Sequence, residues 1–290
     1  MKSTELTAKY ENKEELEMLA KMLENVRNTT PLVHNITNYV TVNDCANALL
    51  ACGGSPIMAD DVEDAKDITA ICTSLNINIG TLNKNTIPAM LEAGKIADSL
   101  GHPIILDPVG AGASKLRTET AKTLIENIHF SVIRGNISEI KALALGEGNT
   151  KGVDADVADA VTEETLPNVV KFAKDFSDKT GAVIAITGAI DIIADSNKAY
   201  LIRNGHPMMS KITGTGCMLS AITGAYIGAN QENILEATAA AVCVMGLCGE
   251  RAYKRLNAND GNSTYRNYII DEIYNLNGEK LKEGAKFEIV

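Results

Sequence analysis

The segment Lys211-Ile212-Thr213-Gly214-Thr215-Gly216-Cys217-Met218-Leu219-Ser220 sets a glycine-rich turn directly before an apolar, helix-forming run. Unpaired N–H groups in a first helical turn point at incoming oxygens, and the helix dipole adds partial positive charge. Glycine lets a ligand approach the backbone closely. The pattern predicts a helix entrance that binds anions. Cys217 falls where a small-molecule kinase with a phosphate-cradling turn would place its proton acceptor.

Three further turns carry chemistry, each directly after an apolar run. Asp107-Pro108-Val109-Gly110-Ala111-Gly112 follows Ile105-Leu106, Arg134-Gly135-Asn136-Ile137-Ser138-Glu139 follows Val132-Ile133, and Thr187-Gly188 follows Ala185-Ile186. Each has a plain structural reading: Asp107 as a turn or cap residue, Arg134 as a surface cation, Asn136 and Glu139 as a capping box. Their coincidence is more informative. An acid, a guanidinium, an Asn-x-x-Glu and a Gly-Thr-Gly turn together describe a site for Mg-nucleotide phosphate, in which carboxylates address the metal or its waters and donors address phosphate oxygens.

Such turns converge only if a sheet aligns them. Short apolar runs alternate with segments of helical period through most of the chain, which predicts an α/β fold. The clearest strands are 77–79, 103–106, 130–133 and 182–186, short runs rich in apolar residues, as in a mostly parallel sheet covered on both faces. Helical candidates lie around 12–27, 41–52, 84–100, 117–128, 163–179, 215–228 and 232–256. Asp191–Asp195 and Ala199–Ile202 flank the turn residues Ser196-Asn197-Lys198, predicting a hairpin and an antiparallel edge. The last helical candidate, rich in Ala, Cys and Met, reads as a buried core helix. Open α/β sheets bind ligands beyond the carboxyl ends of their strands, where all three turns would lie.

Composition agrees with a soluble enzyme: 290 residues, 45% hydrophobic, 22% charged, with a formal charge of -10. The 27 basic residues form no stripe that could track a phosphate backbone, which argues against nucleic acid. The chain has neither a run long enough to span a membrane nor the apolar core of a signal peptide, so a cytoplasmic location is expected. Its 6 cysteines show no Cys-x-x-Cys pair and read as reduced, buried thiols, and the 4 histidines are too dispersed for a His-based metal site. One domain over 1–290 is expected, with 1–30 as an N-terminal helical lead; the loop Gly146-Glu147-Gly148-Asn149 is the best candidate break.

Two nucleotide motifs are absent. Gly110-Ala111-Gly112-Ala113-Ser114-Lys115 lacks the third glycine of a dinucleotide fingerprint, and no Gly-x-x-x-x-Gly-Lys-Ser/Thr occurs. A different resemblance runs through the chain. Pro31–Asn38, Gly54-Ser55-Pro56-Ile57-Met58-Ala59, Asn78-Ile79-Gly80-Thr81-Leu82, Leu106–Gly112, Ile133–Ile140 and Thr213–Cys217 resemble, in order, the blocks of the hydroxyethylthiazole kinases of thiamine salvage. The resemblance covers roughly residues 30 to 250. It implies a ribokinase-like α/β fold, a homotrimer with substrate sites between subunits, ATP, Mg²⁺ and the substrate 5-(2-hydroxyethyl)-4-methylthiazole.

Carried over by motif, the resemblance implies that Met58 contacts the thiazole and Gly214 lines the substrate site. It implies that Arg134 and Thr187 contact ATP, that Asp107 and Glu139 organise Mg²⁺ and its waters, and that Cys217 sits beside the reacting hydroxyl. The chain departs from familiar members in its longer lead before Pro31 and between Asn149 and Glu163. Many relatives in the broader ribokinase-like group carry Asp where this turn has Cys217. A helix N-terminus lowers a thiol's pKa, so Cys217 could accept the alcohol proton as a thiolate; adjacent phosphate charge opposes that shift, and a role in placing the hydroxyl stays open. A hydroxymethylpyrimidine kinase on the same fold and a non-catalytic binding protein are the alternatives.

Overall fold

Six strands run parallel in the computed structural model, which describes residues 2–144 and 161–290, with side chains from residue 13 onward. They are β1 (Leu32–Ile36), β2 (Ser55–Met58), β3 (Ser74–Asn78), β4 (Ile104–Asp107), β5 (Val132–Asn136) and β6 (Val183–Thr187). β7 (Asp191–Ala194) and β8 (Ala199–Ile202) form the expected hairpin, closed by Asp195, whose Oδ1 accepts from the backbone of Asn197 at 2.7 Å and Lys198 at 2.6 Å. β9 (Phe287–Ile289) adds a third antiparallel pairing, against β8. The strand order is β2-β1-β3-β4-β5-β6-β7-β8-β9.

The strands alternate their side chains between two helical layers, as the period of 2 requires. In β4, Ile104 and Leu106 face one buried cluster and Ile105 the other. The first layer comprises α3 (Val62–Ile71), α4 (Thr86–Ser99), α5 (Lys115–Asn127), α6 (Ile137–Ala144) and α7 (Leu166–Thr180). The second comprises α1 (Lys2–Thr29), α2 (Val42–Cys52), α8 (Thr215–Ala229), α9 (Ile234–Lys254), α10 (Asn262–Asn275) and α11 (Gly278–Gly284). α9 is buried along most of its length, and all six cysteines are free and buried.

β1 and β2 did not stand out as strands because His34, Asn35 and Pro56 interrupt their apolar runs, yet they extend the sheet past β3 through β1. The N-terminal lead belongs to the core: Leu19, Met22, Leu23 and Val26 pack with α8, α9 and α11, and Lys198 and Tyr200 hold Glu15 at 2.7 and 2.5 Å. The candidate break at Gly146–Asn149 and most of the divergent stretch from Asn149 to Glu163 lie outside the described residues.

Candidate active site

Alternation decides which strand-end residues meet. Asp107 shares a face with Ile105, Arg134 with Val132, and Thr187 with Ala185; Ile105, Val132 and Ala185 all belong to the cluster under α8. All three polar side chains therefore emerge beneath the start of α8, at the carboxyl end of the sheet, where open α/β sheets bind ligands.

Asp107 is the centre of the cluster, 1% exposed. Its Oδ2 accepts from Asn78 Nδ2 at 2.7 Å, from Ser220 Oγ at 2.8 Å and from Arg134 Nη1 at 3.4 Å. Its Oδ1 is buried without a partner. Burial pushes the carboxyl pKa above its ordinary value, against the opposing pull of Arg134, Ser220 and Asn78. Arg134 spans the crevice: Nη1 also donates to the Gly216 carbonyl at 3.2 Å, Nη2 donates to Thr187 Oγ1 at 2.9 Å, and Nε is buried and unpaired. Arg134 is thus a buried half of an ion pair, which removes the surface-cation reading.

The glycines of the turn are required by this packing. Gly214 caps α8 with φ +90°, and a Cβ there would collide with the Thr41 side chain. A Cβ on Gly216 would lie 3.0 Å from Arg134 Nη1, so glycine lets the guanidinium lie against the helix start. The first N–H groups of α8, from Thr215 to Cys217, have no carbonyl one turn earlier to accept them, and they face the same crevice as the Arg134 charge.

Cys217 lies inside this arrangement. Its Sγ accepts from Asn38 Nδ2 at 3.0 Å and from Asn78 Nδ2 at 3.3 Å, so Asn78 joins the sulfur to Asp107. The packing opposes the helix-terminus argument for a thiolate. Burial raises the Cys217 pKa, the Asp107 charge raises it further, and the Thr41 hydroxyl, the Asn38 amide and the Arg134 charge only partly offset them. The balance favours the protonated thiol.

Glu139 is a member of a capping box. It accepts the Asn136 N–H at 2.8 Å through Oε2, and its own N–H donates to Asn136 Oδ1 at 2.9 Å. Its second oxygen takes the Gly110 N–H at 2.8 Å, which fixes the loop after Asp107 against α6. Met58 stands apart from these contacts. It ends β2 half-buried, in register with Asn35, and packs against the cluster under α8.

Asn38, Thr41, Asn78 and Ser220 complete the site without having been assigned roles from sequence. Asn38 Oδ1 accepts from Thr41 Oγ1 at 3.0 Å, and Asn38 Nδ2 lies 3.2 Å from Asn78 Oδ1, so the two amides brace each other around the sulfur. Asn78 carried the available signal, since it lies within an expected strand run and, like Asp107, ends its strand in the fold.

The chain is similar to known proteins over most of its length. The model of the hydroxyethylthiazole kinase family matches residues 23–279. A hydroxyethylthiazole kinase of Clostridium acetobutylicum is 70% identical over 271 residues, covering 93% of this chain and 99% of the relative. The solved structure of a hydroxyethylthiazole kinase protein from Pyrococcus horikoshii superposes with a TM-score of 0.83 at 34% identity, covering 94% of this chain and 99% of that one. A ribokinase-like superfamily protein of Enterococcus faecalis, 14% identical with a TM-score of 0.59 over 90% of this chain and 94% of its own, shares the fold.

Proposed function

The chain belongs to the hydroxyethylthiazole kinase family, and from that premise we propose how its crevice works. The activity is that of a kinase that transfers phosphate from ATP to the primary alcohol of 5-(2-hydroxyethyl)-4-methylthiazole, a step of thiamine salvage. The observation that carries the site assignment is the convergence of Asp107, Arg134, the α8 N-terminus and Cys217 through Asn78.

The alcohol oxygen attacks the γ-phosphorus as the bond to the ADP oxygen breaks, and the two oxygens lie in line. Alignment and charge neutralisation supply most of the acceleration. The N–H groups from Thr215 to Cys217 stabilise the moving phosphoryl oxygens, and Arg134 adds its charge beside them. Gly214 lets the substrate approach the turn, and Met58 bears on the thiazole from the edge strand. Arg134 and Thr187 hold ATP phosphate. Cys217, protonated, places the hydroxyl, and the alcohol proton passes late to the transferred phosphoryl group.

Mg²⁺ fits the donor set. Asp107 Oδ1 is a buried acceptor with no partner, while both Glu139 oxygens are taken by backbone N–H groups. Among the described residues no three carboxylate, imidazole or thiol groups converge, so phosphate oxygens and water would hold most of the ion's coordination, with Asp107 and Glu139 addressing its waters. Bound there, Mg²⁺ would neutralise phosphate charge.

The same reading takes residues 1–290 as one kinase domain, supported by the single sheet that carries all nine strands among the described residues. It takes the chain as a cytoplasmic homotrimer with substrate sites between subunits. Tyr39 and Val40, 75% and 60% exposed directly after Asn38, supply an apolar rim suited to a neighbouring subunit. Purified protein with Mg-ATP and the thiazole is expected to give the thiazole monophosphate by mass spectrometry, with ADP in equal amount. ADP without phosphorylated thiazole would refute the assignment.

A further inference from the structure

His34 belongs to the same strand as Asn35 but projects from the opposite face, away from the crevice, and is 0% exposed. Nε2 lies 2.8 Å from the carbonyl of Ala59, and Nδ1 lies 2.9 Å from Thr69 Oγ1 on α3. A carbonyl only accepts, so Nε2 carries the hydrogen. The Thr69 hydroxyl donates its one hydrogen to the Ala65 carbonyl at 2.6 Å, so its contact with Nδ1 does not set the tautomer. Burial lowers the imidazole pKa, in keeping with a neutral ring.

The bond falls at a mechanically exposed place. β2 is the outer strand of the sheet, pairs with β1 alone and is four residues long, all of them half-buried. Its register with β1 ends at Asn35 opposite Met58. Ala59 is the next residue, and the chain then turns into α3, capped by Asp61 Oδ1, which accepts the Glu63 N–H at 3.0 Å. The carbonyl of Ala59 therefore ties the chain back to the sheet immediately beyond Met58.

We propose that His34 is a positioning residue for the alcohol substrate: by holding the Ala59 carbonyl through Nε2, it fixes where the edge strand places Met58 and so sets affinity for the thiazole without touching it. The inference rests on the reading of Met58 as a thiazole contact.

The test compares His34→Leu, His34→Gln, Thr69→Val and Met58→Ala by thiazole KM, ATP KM, thiazole Kd by calorimetry and melting temperature. His34→Leu is expected to raise the thiazole KM and Kd about tenfold, the scale of one fixed hydrogen bond, while ATP KM changes less than about twofold. His34→Gln, whose amide can donate to Ala59, should recover most of that loss. Thr69→Val, close in shape to the native residue, leaves the His34–Ala59 bond in place and should change the thiazole KM little.

An unchanged thiazole KM in His34→Leu beside a raised one in Met58→Ala overturns the proposal alone. An unchanged KM in Met58→Ala removes the pocket reading and the proposal with it. Equal losses for thiazole and ATP in both His34 variants, tracking the melting temperature, would make His34 a purely structural residue and overturn the proposal too.

Discussion

The Asn38 amide nitrogen lies 3.0 Å from the Cys217 sulfur, and both groups are buried, so the thiol at the start of α8 is held from β1's side of the sheet as well as by its own helix. Two consequences follow for the reaction. The sulfur is fixed in direction, as a group that places a hydroxyl must be. Its proton is also hard to remove, because burial and the Asp107 charge together outweigh the amide, the Thr41 hydroxyl and Arg134.

Cys217→Ala removes the placement while leaving Asp107, Arg134 and the backbone donors intact. Turnover should fall roughly 10–100-fold, the scale of a misplaced reacting group, and the KM for ATP should change little. Steady-state kinetics with each substrate varied in turn reads both values, and equal turnover in the two proteins would remove Cys217 from the chemistry.

Alkylation measures the state of the thiol directly. Because the Cys217 pKa is raised, iodoacetamide should modify it more slowly at pH 7.5 than a free thiol of pKa about 8.5, with the rate still climbing above that pH. Peptide mapping by mass spectrometry identifies the labelled residue, and bound thiazole should slow labelling further. Rapid modification levelling off near pH 7 would establish a thiolate.

Gly214→Ala tests the turn. The backbone there sits at φ +90°, and the new Cβ would meet the Thr41 side chain, which is itself 3% exposed. A loss of about 1–3 kcal/mol in stability is expected from the strained conformation and the overpacked contact, with turnover lost beyond what destabilisation explains. Chemical denaturation and activity at a temperature where the variant is folded separate the two effects. A fully active, equally stable variant would contradict the geometry of the helix entrance.

Asp191, at the start of β7, has its carboxyl pushed up to about 7 by burial, against the Gly188 N–H it accepts at 2.8 Å and the Arg134 charge. Its folded pKa lies above the ordinary carboxyl value of 3.8, so the folded protein binds the proton more tightly than the unfolded chain. This contribution to stability is fully present below about pH 3.8 and is lost as pH rises through about 7. Asp191→Asn keeps an acceptor for Gly188 and cannot ionise. It should be more stable than the native protein at pH 8.5 by about 1–2 kcal/mol, a figure held down by the side chain's partial solvent contact, with the advantage shrinking toward pH 5. Thermal melts across pH read the difference; one independent of pH would contradict the shifted titration.

Much of the site was legible in the sequence because three of its members sit where apolar runs stop. Asp107, Arg134 and Thr187 each end or closely follow such a run, and parallel strands bring their carboxyl ends to one edge. The Gly214 turn was legible because glycines before an apolar helix have few other uses. Asn38 and Ser220 were not assigned, since their roles come from tertiary convergence: Asn38 is 179 positions from Cys217, and Ser220 is 113 from Asp107. The charge state of Cys217 stayed open in the sequence for a related reason. Position on a helix is a local property, while burial beneath Asn38 and beside Asp107 belongs to the folded whole. β9 was missed because a three-residue strand at the end of the chain is defined by its partner β8 rather than by any periodicity of its own.

The most direct test of the account is ADP formation by the purified protein with Mg-ATP, comparing 5-(2-hydroxyethyl)-4-methylthiazole, hydroxymethylpyrimidine and no added alcohol, with phosphorylated products identified by mass. Thiazole-dependent turnover, well above both the pyrimidine and the blank, is the predicted result. Turnover with the pyrimidine alone would keep the phosphate site and overturn the substrate, and thiazole binding without turnover would contradict the kinase reading itself.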